Sequence, residues 1–124
     1  MLAAAAPCAA ETRPPQTITP TVVSGKLSQV GFVWALDPDC SSRGETDSRV
    51  LRKPEHGTLD IPLGNSFPHF PEKTPMFHCN QQKVPGSLIM YKSEDGYVGK
   101  DNFDIEFIGP RGANYIFRYV VTVK

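Results

Sequence analysis

The stretch that decides the fold is GYVGKDNFDIEF, Gly96 to Phe107. It opens with a turn signal, two glycines around an aromatic residue, and continues as an alternation of apolar and polar side chains. The apolar members are Phe103, Ile105 and Phe107, and Asp104 and Glu106 alternate with them. Successive side chains of an extended chain point to opposite faces, so this alternation predicts a strand with one buried face.

The turn before this strand contains the residue types that a sharp corner needs. Gly96 and Gly99 can adopt backbone angles that other residues resist. Tyr97 can pack its ring over a strand end while its hydroxyl stays hydrated or hydrogen-bonded. Asp101 can accept hydrogen bonds from backbone amides after the turn. We therefore expect a corner at which the chain leaves one sheet and begins the next strand.

Strand signals dominate the sequence on both sides of this corner. The segment ANYIFRYVVTVK at 113–124 alternates in the same way, and the GPRG before it is a hairpin signal. Other expected strands lie within 17–23, 29–36, 48–54, 56–61 and 87–93. No segment shows a 3.6-residue apolar stripe, which predicts an all-β fold: an antiparallel two-sheet sandwich of about seven short strands. The core is expected to contain Trp34, Phe103, Ile105, Phe117 and Tyr119.

Composition limits the classes of function. The chain has 124 residues, which indicates one domain. Its 13 Lys and Arg balance 13 Asp and Glu, so the basic excess typical of nucleic-acid binding is absent and no nucleic-acid partner is expected. No apolar run is long enough for a membrane span. The sequence leaves the oligomeric state open.

The first residues, MLAAAAPCAAETRPP, differ in composition from the rest. A small, apolar stretch from Leu2 to Ala10 is followed by polar and proline residues, which resembles the end of a secretory signal peptide and its cleavage site. We expect residues 1–15 to be a signal-peptide remnant with a flexible tail, and residues 16–124 to form the β-sandwich domain. The expected location is periplasmic or secreted.

The expected location guides the interpretation of the cysteines. If the N-terminal segment with Cys8 is removed, Cys40 and Cys79 remain. Two cysteines in an exported domain predict one disulfide, here between residues 39 positions apart. The alternative is two free buried thiols, which behave as small apolar side chains.

Three segments, KPEHGTL, IMYKSEDGYVGKDNFDIEF and GANYIFRYVVTVK, together resemble a bacterial immunoglobulin-like or cadherin-like module. The resemblance covers roughly residues 50–124. The matching positions are Pro54, Gly57, Thr58, Tyr91, Gly96, Tyr97, Gly99, Asp101 and Phe103. It implies an immunoglobulin-like β-sandwich at an exported location and no catalytic residue. The long region from Pro62 to Asn80 and the two cysteines depart from the usual short module.

Within this region, the segment from Pro62 to His78 is the expected binding surface. It combines prolines, which stiffen the free chain, with side chains that supply contact energy in interfaces. The expected partner-binding residues are Phe67, His69, Phe70, Met76 and Phe77. We interpret the protein as a non-enzymatic module without a cofactor that binds a protein or has a structural role in the cell envelope. The alternative is that the aromatic rings fold back to cover the core.

Some residues of the chain are typical of metal binding. His69 and His78 suggest a small periplasmic protein that binds copper or zinc. The carboxylates in the turn at 37–47 suggest calcium, although their spacing does not fit an EF-hand. Catalysis has little support, since the sequence contains neither a Gly-x-Ser-x-Gly elbow nor a phosphate-binding loop.

Overall fold

Residues 14–124 are the part of the chain that the structure, a computed structural model, describes. This part forms nine strands in two sheets and one short 3₁₀ helix, Phe77–Gln81, so the prediction of an all-β, two-sheet fold is confirmed. The strands are β1 Gln16–Ile18, β2 Thr21–Val22, β3 Ser28–Val33, β4 Asp47–Arg52, β5 Gly57–Asp60, β6 Leu63–Ser66, β7 Val84–Ser93, β8 Gly99–Ile108 and β9 Asn114–Val123. Within the same residues, no helix has the length and apolar character that a bilayer crossing requires. Residues 1–13 of the expected signal-peptide remnant, with Cys8, lie outside the described residues.

The larger sheet is built on the predicted hairpin of β8 and β9. Its strand order is β1-β9-β8-β4, and β2 also pairs with β9. The two hairpin strands pair along their full length, from Gly99 opposite Val123 to Ile108 opposite Asn114. At the turn, the Gly112 amide donates to the Gly109 carbonyl at 2.9 Å. The hairpin therefore supplies the centre of the sheet.

The N-terminal strands depart from the expected antiparallel arrangement, because β1 and β2 both run parallel to β9. Pro20 separates them, and it has no amide hydrogen to donate. Its carbonyl instead accepts a hydrogen bond from the Thr122 amide at 2.9 Å. The strand expected at 17–23 is thus present as two short pieces along β9.

The smaller sheet is organised around β7. Its order is β3-β7-β5, and β6 pairs with β7 beside β5. The registers put β5 opposite 90–93 and β6 opposite 84–87, so the two short strands follow one another along the same edge of β7. β6 and the 3₁₀ helix lie in the region that the sequence predicted to be irregular.

The corner before β8 has the predicted features. Gly96 and Gly99 have φ angles of 81° and 141°, in the region where side chains are strained. The ring of Tyr97 stacks on His56, with the ring centroids 4.1 Å apart. The Tyr97 hydroxyl donates to the carbonyl of Lys100 at 2.5 Å.

The apolar interior has two parts. The main cluster lies between the sheets and contains Val22, Ile89, Tyr91, Phe103, Ile105, Phe107, Tyr119, Val121 and Val123. A second cluster is built on Leu36, Cys40, Cys79 and Val84, with Phe32, Trp34, Phe70 and Met76 packed against it. Of the expected core residues, Phe103, Ile105 and Tyr119 are buried, whereas Trp34 and Phe117 are only partly buried. Trp34 follows the end of β3 and packs in the second cluster instead of between the sheets.

Candidate functional site

The region between β6 and β7 is a folded loop, here called the 67–82 loop. A succession of short-range hydrogen bonds shapes its backbone. The Thr74 amide donates to the Pro71 carbonyl at 3.0 Å, and the Phe77 amide to the Thr74 carbonyl at 3.2 Å. The Cys79 amide then donates to the Met76 carbonyl at 2.9 Å within the 3₁₀ helix. The loop therefore has a defined conformation that its own turns maintain.

Two interactions fix this loop, and one of them ties it to the rest of the sandwich. The predicted disulfide between Cys40 and Cys79 is confirmed, with Cα atoms 5.5 Å apart and the Cys79 side chain fully buried. In the chain-entropy account, closing a loop of this length stabilises the fold by about 4 kcal/mol. The side chain of Asn80 braces the loop internally, because its partner Phe70 belongs to the same loop. It accepts from the Phe70 amide at 2.8 Å and donates to the Phe70 carbonyl at 2.9 Å.

The five expected partner-binding residues divide into two groups. Phe70 and Met76 pack against the second cluster, and the Phe70 ring meets Trp34 edge-on at a centroid distance of 5.3 Å. Phe67 and Phe77 keep 42% and 41% of their surface exposed. The Phe70 ring therefore folds back onto the core, as the alternative interpretation expects, whereas the Phe67 and Phe77 rings remain partly exposed to solvent.

His69, the fifth of these residues, is exposed and belongs to the outer group. Its ring lies edge-on to Trp34 with a centroid distance of 6.4 Å. Beyond the loop, the ammonium group of Lys83 lies 5.8 Å from the centroid of the Phe67 ring. A cation at this distance is attracted to the ring face and adds positive charge beside the exposed phenylalanine.

A cleft of about 490 Å³ opens next to the loop. Its walls come from both sheets and from the loop, and they include six aromatic residues: Phe32, Trp34, Phe70, Phe107, Tyr115 and Phe117. A volume of a few hundred Å³ with largely apolar walls is typical of a site that takes up a side chain or a small molecule. Phe70 thus connects the loop to the cleft.

The polar part of the cleft is cationic. Arg43 and Arg111 both line it, and both guanidinium groups approach the same carboxylate oxygen of Asp37, at 2.9 Å and 3.7 Å. One carboxylate shared by two guanidinium groups leaves a net positive charge. The cleft is therefore complementary to an apolar group that carries a negative charge nearby.

The turn that carries Cys40 uses its acidic residues locally. The carboxylate of Asp39 accepts from the Ser41 hydroxyl at 2.5 Å and from the Ser41 amide at 3.0 Å. These bonds, the hydroxyl first, hold the pKa of Asp39 below its usual value. Asp37 forms an ion pair with Arg43. The carboxylates of Asp37 and Asp39 therefore stabilise the turn that positions Cys40.

The structure does not bring His69 and His78 together in one group of potential metal ligands, as the copper or zinc hypothesis expects. Among residues 14–124, potential metal ligands gather in one group of three or more, and it contains Cys40, His78 and Cys79. His69 is outside this group, and so are the carboxylates at 37–47. A site that uses His69 and His78 stays a prediction.

Sequence reasoning missed the cleft. Its walls come from β3, the 67–82 loop, β8 and β9, which are far apart in sequence, so no local pattern could indicate it.

The chain matches no protein-family model, and comparison with curated proteins and with solved structures finds no match either.

Proposed function

We propose that the protein is a non-enzymatic binding module for another protein, and that the 67–82 loop and the adjoining cleft form its docking surface. The observation that carries the proposal is the exposure of Phe67 and Phe77, 42% and 41%, on a loop that a disulfide ties to the sandwich and that Asn80 braces internally. Exposed aromatic side chains on a rigid loop bind with a small loss of conformational entropy. Aromatic residues also contribute much of the energy of protein interfaces.

The chemistry of the surface defines the partner. Binding energy concentrates where an apolar side chain enters a dry pocket. The aromatic cleft offers such a pocket, Arg43 and Arg111 line it, and Lys83 adds positive charge beside Phe67 of the loop. The proposed partner therefore presents an exposed apolar side chain flanked by acidic residues.

The strand arrangement supports an immunoglobulin-like identity. In immunoglobulin domains one sheet contains the last two strands and a third strand beside them, and the second sheet contains the strands of the other face. The orders β1-β9-β8-β4 and β3-β7-β5 fit that division. The disulfide supports a periplasmic or secreted location, since such bonds persist in oxidising compartments. At such a location, binding to another protein would serve a structural role in the cell envelope.

The test is site-specific photo-crosslinking in intact cells. A photoreactive residue replaces Phe77 in one variant and Val98 in another, because Val98 is also an apolar exposed residue, 69% exposed, and lies in the distant turn before β8. We expect one discrete crosslinked protein from position 77 and none from position 98. That protein is then identified and purified, and its affinity for the domain is measured.

The matched variants are Phe67→Ser with Phe77→Ser, and Val98→Ser. Loss of two aromatic contacts should weaken binding by on the order of 10- to 1,000-fold. The Val98→Ser variant should bind normally, and both proteins should melt within a few degrees of the original. Equal crosslinking at positions 77 and 98, or unchanged affinity of the double variant, would contradict the proposed docking surface.

A further inference from the structure

His78 has the orientation of a metal ligand. Its Nδ1 atom lies 2.9 Å from the carbonyl oxygen of Pro75. A carbonyl only accepts hydrogen bonds, so in the neutral ring Nδ1 carries the proton and Nε2 has a free lone pair. Histidines that bind metals commonly donate their other ring nitrogen to a backbone carbonyl in this way, because the bond fixes the tautomer and the ring orientation.

Nε2 of His78 lies close to the two sulfur atoms of the disulfide. Nε2 lies 3.8 Å from Sγ of Cys79, and the ligand atoms of Cys40, His78 and Cys79 all lie within 4.8 Å of one another. Zinc bonds of about 2.3 Å to sulfur and about 2.0 Å to nitrogen, at tetrahedral angles, place the nitrogen and sulfur atoms roughly 3.5 Å apart. The observed separation of nitrogen and sulfur is therefore close to that of a zinc site.

We propose that this group becomes a binding site for zinc(II) when the disulfide is reduced, with the thiolates of Cys40 and Cys79 and Nε2 of His78 as its three protein ligands. In the oxidised protein the sulfur atoms are bonded to each other and carry no thiolate charge. A dithiol reductant transfers two electrons and two protons to the disulfide, which gives two thiols and the cyclic disulfide of the reductant. Zinc then displaces both thiol protons to solvent, and neutral His78 releases none.

The surroundings of the group suit a cation. Cys79 is fully buried and Cys40 is 8% exposed, so two thiolates at this position are unfavourable without a positive ion beside them. His78 is exposed, which opens one side of the group to solvent. This leaves room for entry of the ion and for a water molecule as fourth ligand. Zinc would then hold the 67–82 loop against the turn at Cys40 in place of the disulfide.

The test compares the oxidised and the phosphine-reduced full chain, with Co²⁺ as a spectroscopic probe and Zn²⁺ as its competitor. We expect the reduced protein to bind one Co²⁺ with the thiolate charge-transfer and tetrahedral d–d absorption bands. Added Zn²⁺ should remove both bands, and two protons should be released per zinc bound. The oxidised protein should show none of these changes.

The matched variants are His78→Ala and His69→Ala, since both histidines are exposed in the same loop but only His78 belongs to the group. In the reduced state, His78→Ala should weaken Zn²⁺ binding at least tenfold, and His69→Ala should leave it unchanged. Equal metal binding by the oxidised protein, or dependence on His69, would overturn the proposal.

Circular dichroism keeps the test decisive if reduction unfolds the chain. Zinc binding then contributes directly to folding, so Zn²⁺ should restore the β spectrum of the reduced protein but not that of reduced His78→Ala. A reduced chain that neither binds Zn²⁺ nor refolds with it would exclude the site.

Discussion

At the scale of single residues, Asp101 explains why the corner before β8 is fixed. One carboxylate oxygen accepts from the amides of Glu55 and Asn102, at 2.9 Å and 3.0 Å. The other accepts from the His56 amide at 3.1 Å and from the Tyr91 hydroxyl at 2.7 Å. Asp101 is 2% exposed, so these four donors replace the water that a buried carboxylate would lose. The residue joins β8 to β7 and to the turn before β5.

The first prediction is that Asp101→Asn lowers the free energy of unfolding by about 1–3 kcal/mol. Each oxygen of Asp101 accepts two bonds, so an amide group in either orientation turns an NH₂ toward at least one backbone N–H. Urea unfolding of this variant and of Asp95→Asn, an exposed residue in the same corner, provides the measurement. Equal stability of the two variants would show that Asp101 does not hold the corner.

The role of Asp101 was predictable only in part. Its position after a glycine turn indicated a residue that binds backbone amides. Two of those amides, at Glu55 and His56, are 46 and 45 residues away in sequence, and only the folded arrangement brings them near. The same limit applies to the 67–82 loop. Its aromatic composition was visible in the sequence, but Phe70 turns inward because Trp34 of another segment packs against it.

At the scale of elements, the N-terminal strands close one edge of the larger sheet. β2 has only two residues, but Val22 is 6% exposed and belongs to the main cluster, whereas its neighbour Val23 is 59% exposed. The sequence predicted a strand here and Pro20 predicted an edge position. The parallel direction was not predictable, because it depends on which side of β9 the chain approaches.

The second prediction compares these neighbouring valines. Val22→Ala removes two methyl groups from the core and should lower the free energy of unfolding by roughly 1–3 kcal/mol. Val23→Ala removes the same atoms from the surface and should change it by less than about 0.5 kcal/mol. Urea unfolding of both variants under the same conditions measures the difference. If the two substitutions cost the same, β2 does not pack against β9 as described.

At the scale of the whole molecule, one sandwich contains two apolar clusters with different origins. The main cluster comes from regularly alternating strands, so its residues in β8 and β9 could be read from the sequence. The second cluster depends on the disulfide and on the 67–82 loop. Its buried residues come from the segment 36–40, from the 3₁₀ helix and from the start of β7, so no single alternating strand indicates them. The expected number of about seven strands also differs from the nine described in residues 14–124, since the expected first strand is divided at Pro20 into β1 and β2 and since β6 is too short to show a pattern.

Buried tyrosines connect the stability of the whole molecule to pH. Burial raises the pKa of Tyr119 from 10.0 to about 12. Burial, followed by the hydrogen bond to Asp101, raises the pKa of Tyr91 as well. Gly31 makes room for Tyr119, because a Cβ atom at that position would collide with the tyrosine hydroxyl. Both phenols therefore keep their protons in the folded state at a pH where the unfolded chain loses them.

The third prediction is that the protein loses stability steeply above about pH 10. Between the unfolded and folded pKa values of Tyr119, 10.0 and about 12, the unfolded state binds fewer protons, so the free energy of unfolding falls as the pH rises. Each such group contributes up to about 1.4 kcal/mol per pH unit. Urea unfolding from about pH 8 to about pH 11 measures the slope. Tyr119→Phe has no proton to lose at this position and should show a shallower slope, whereas parallel slopes for the two proteins would mean that Tyr119 ionises equally in both states.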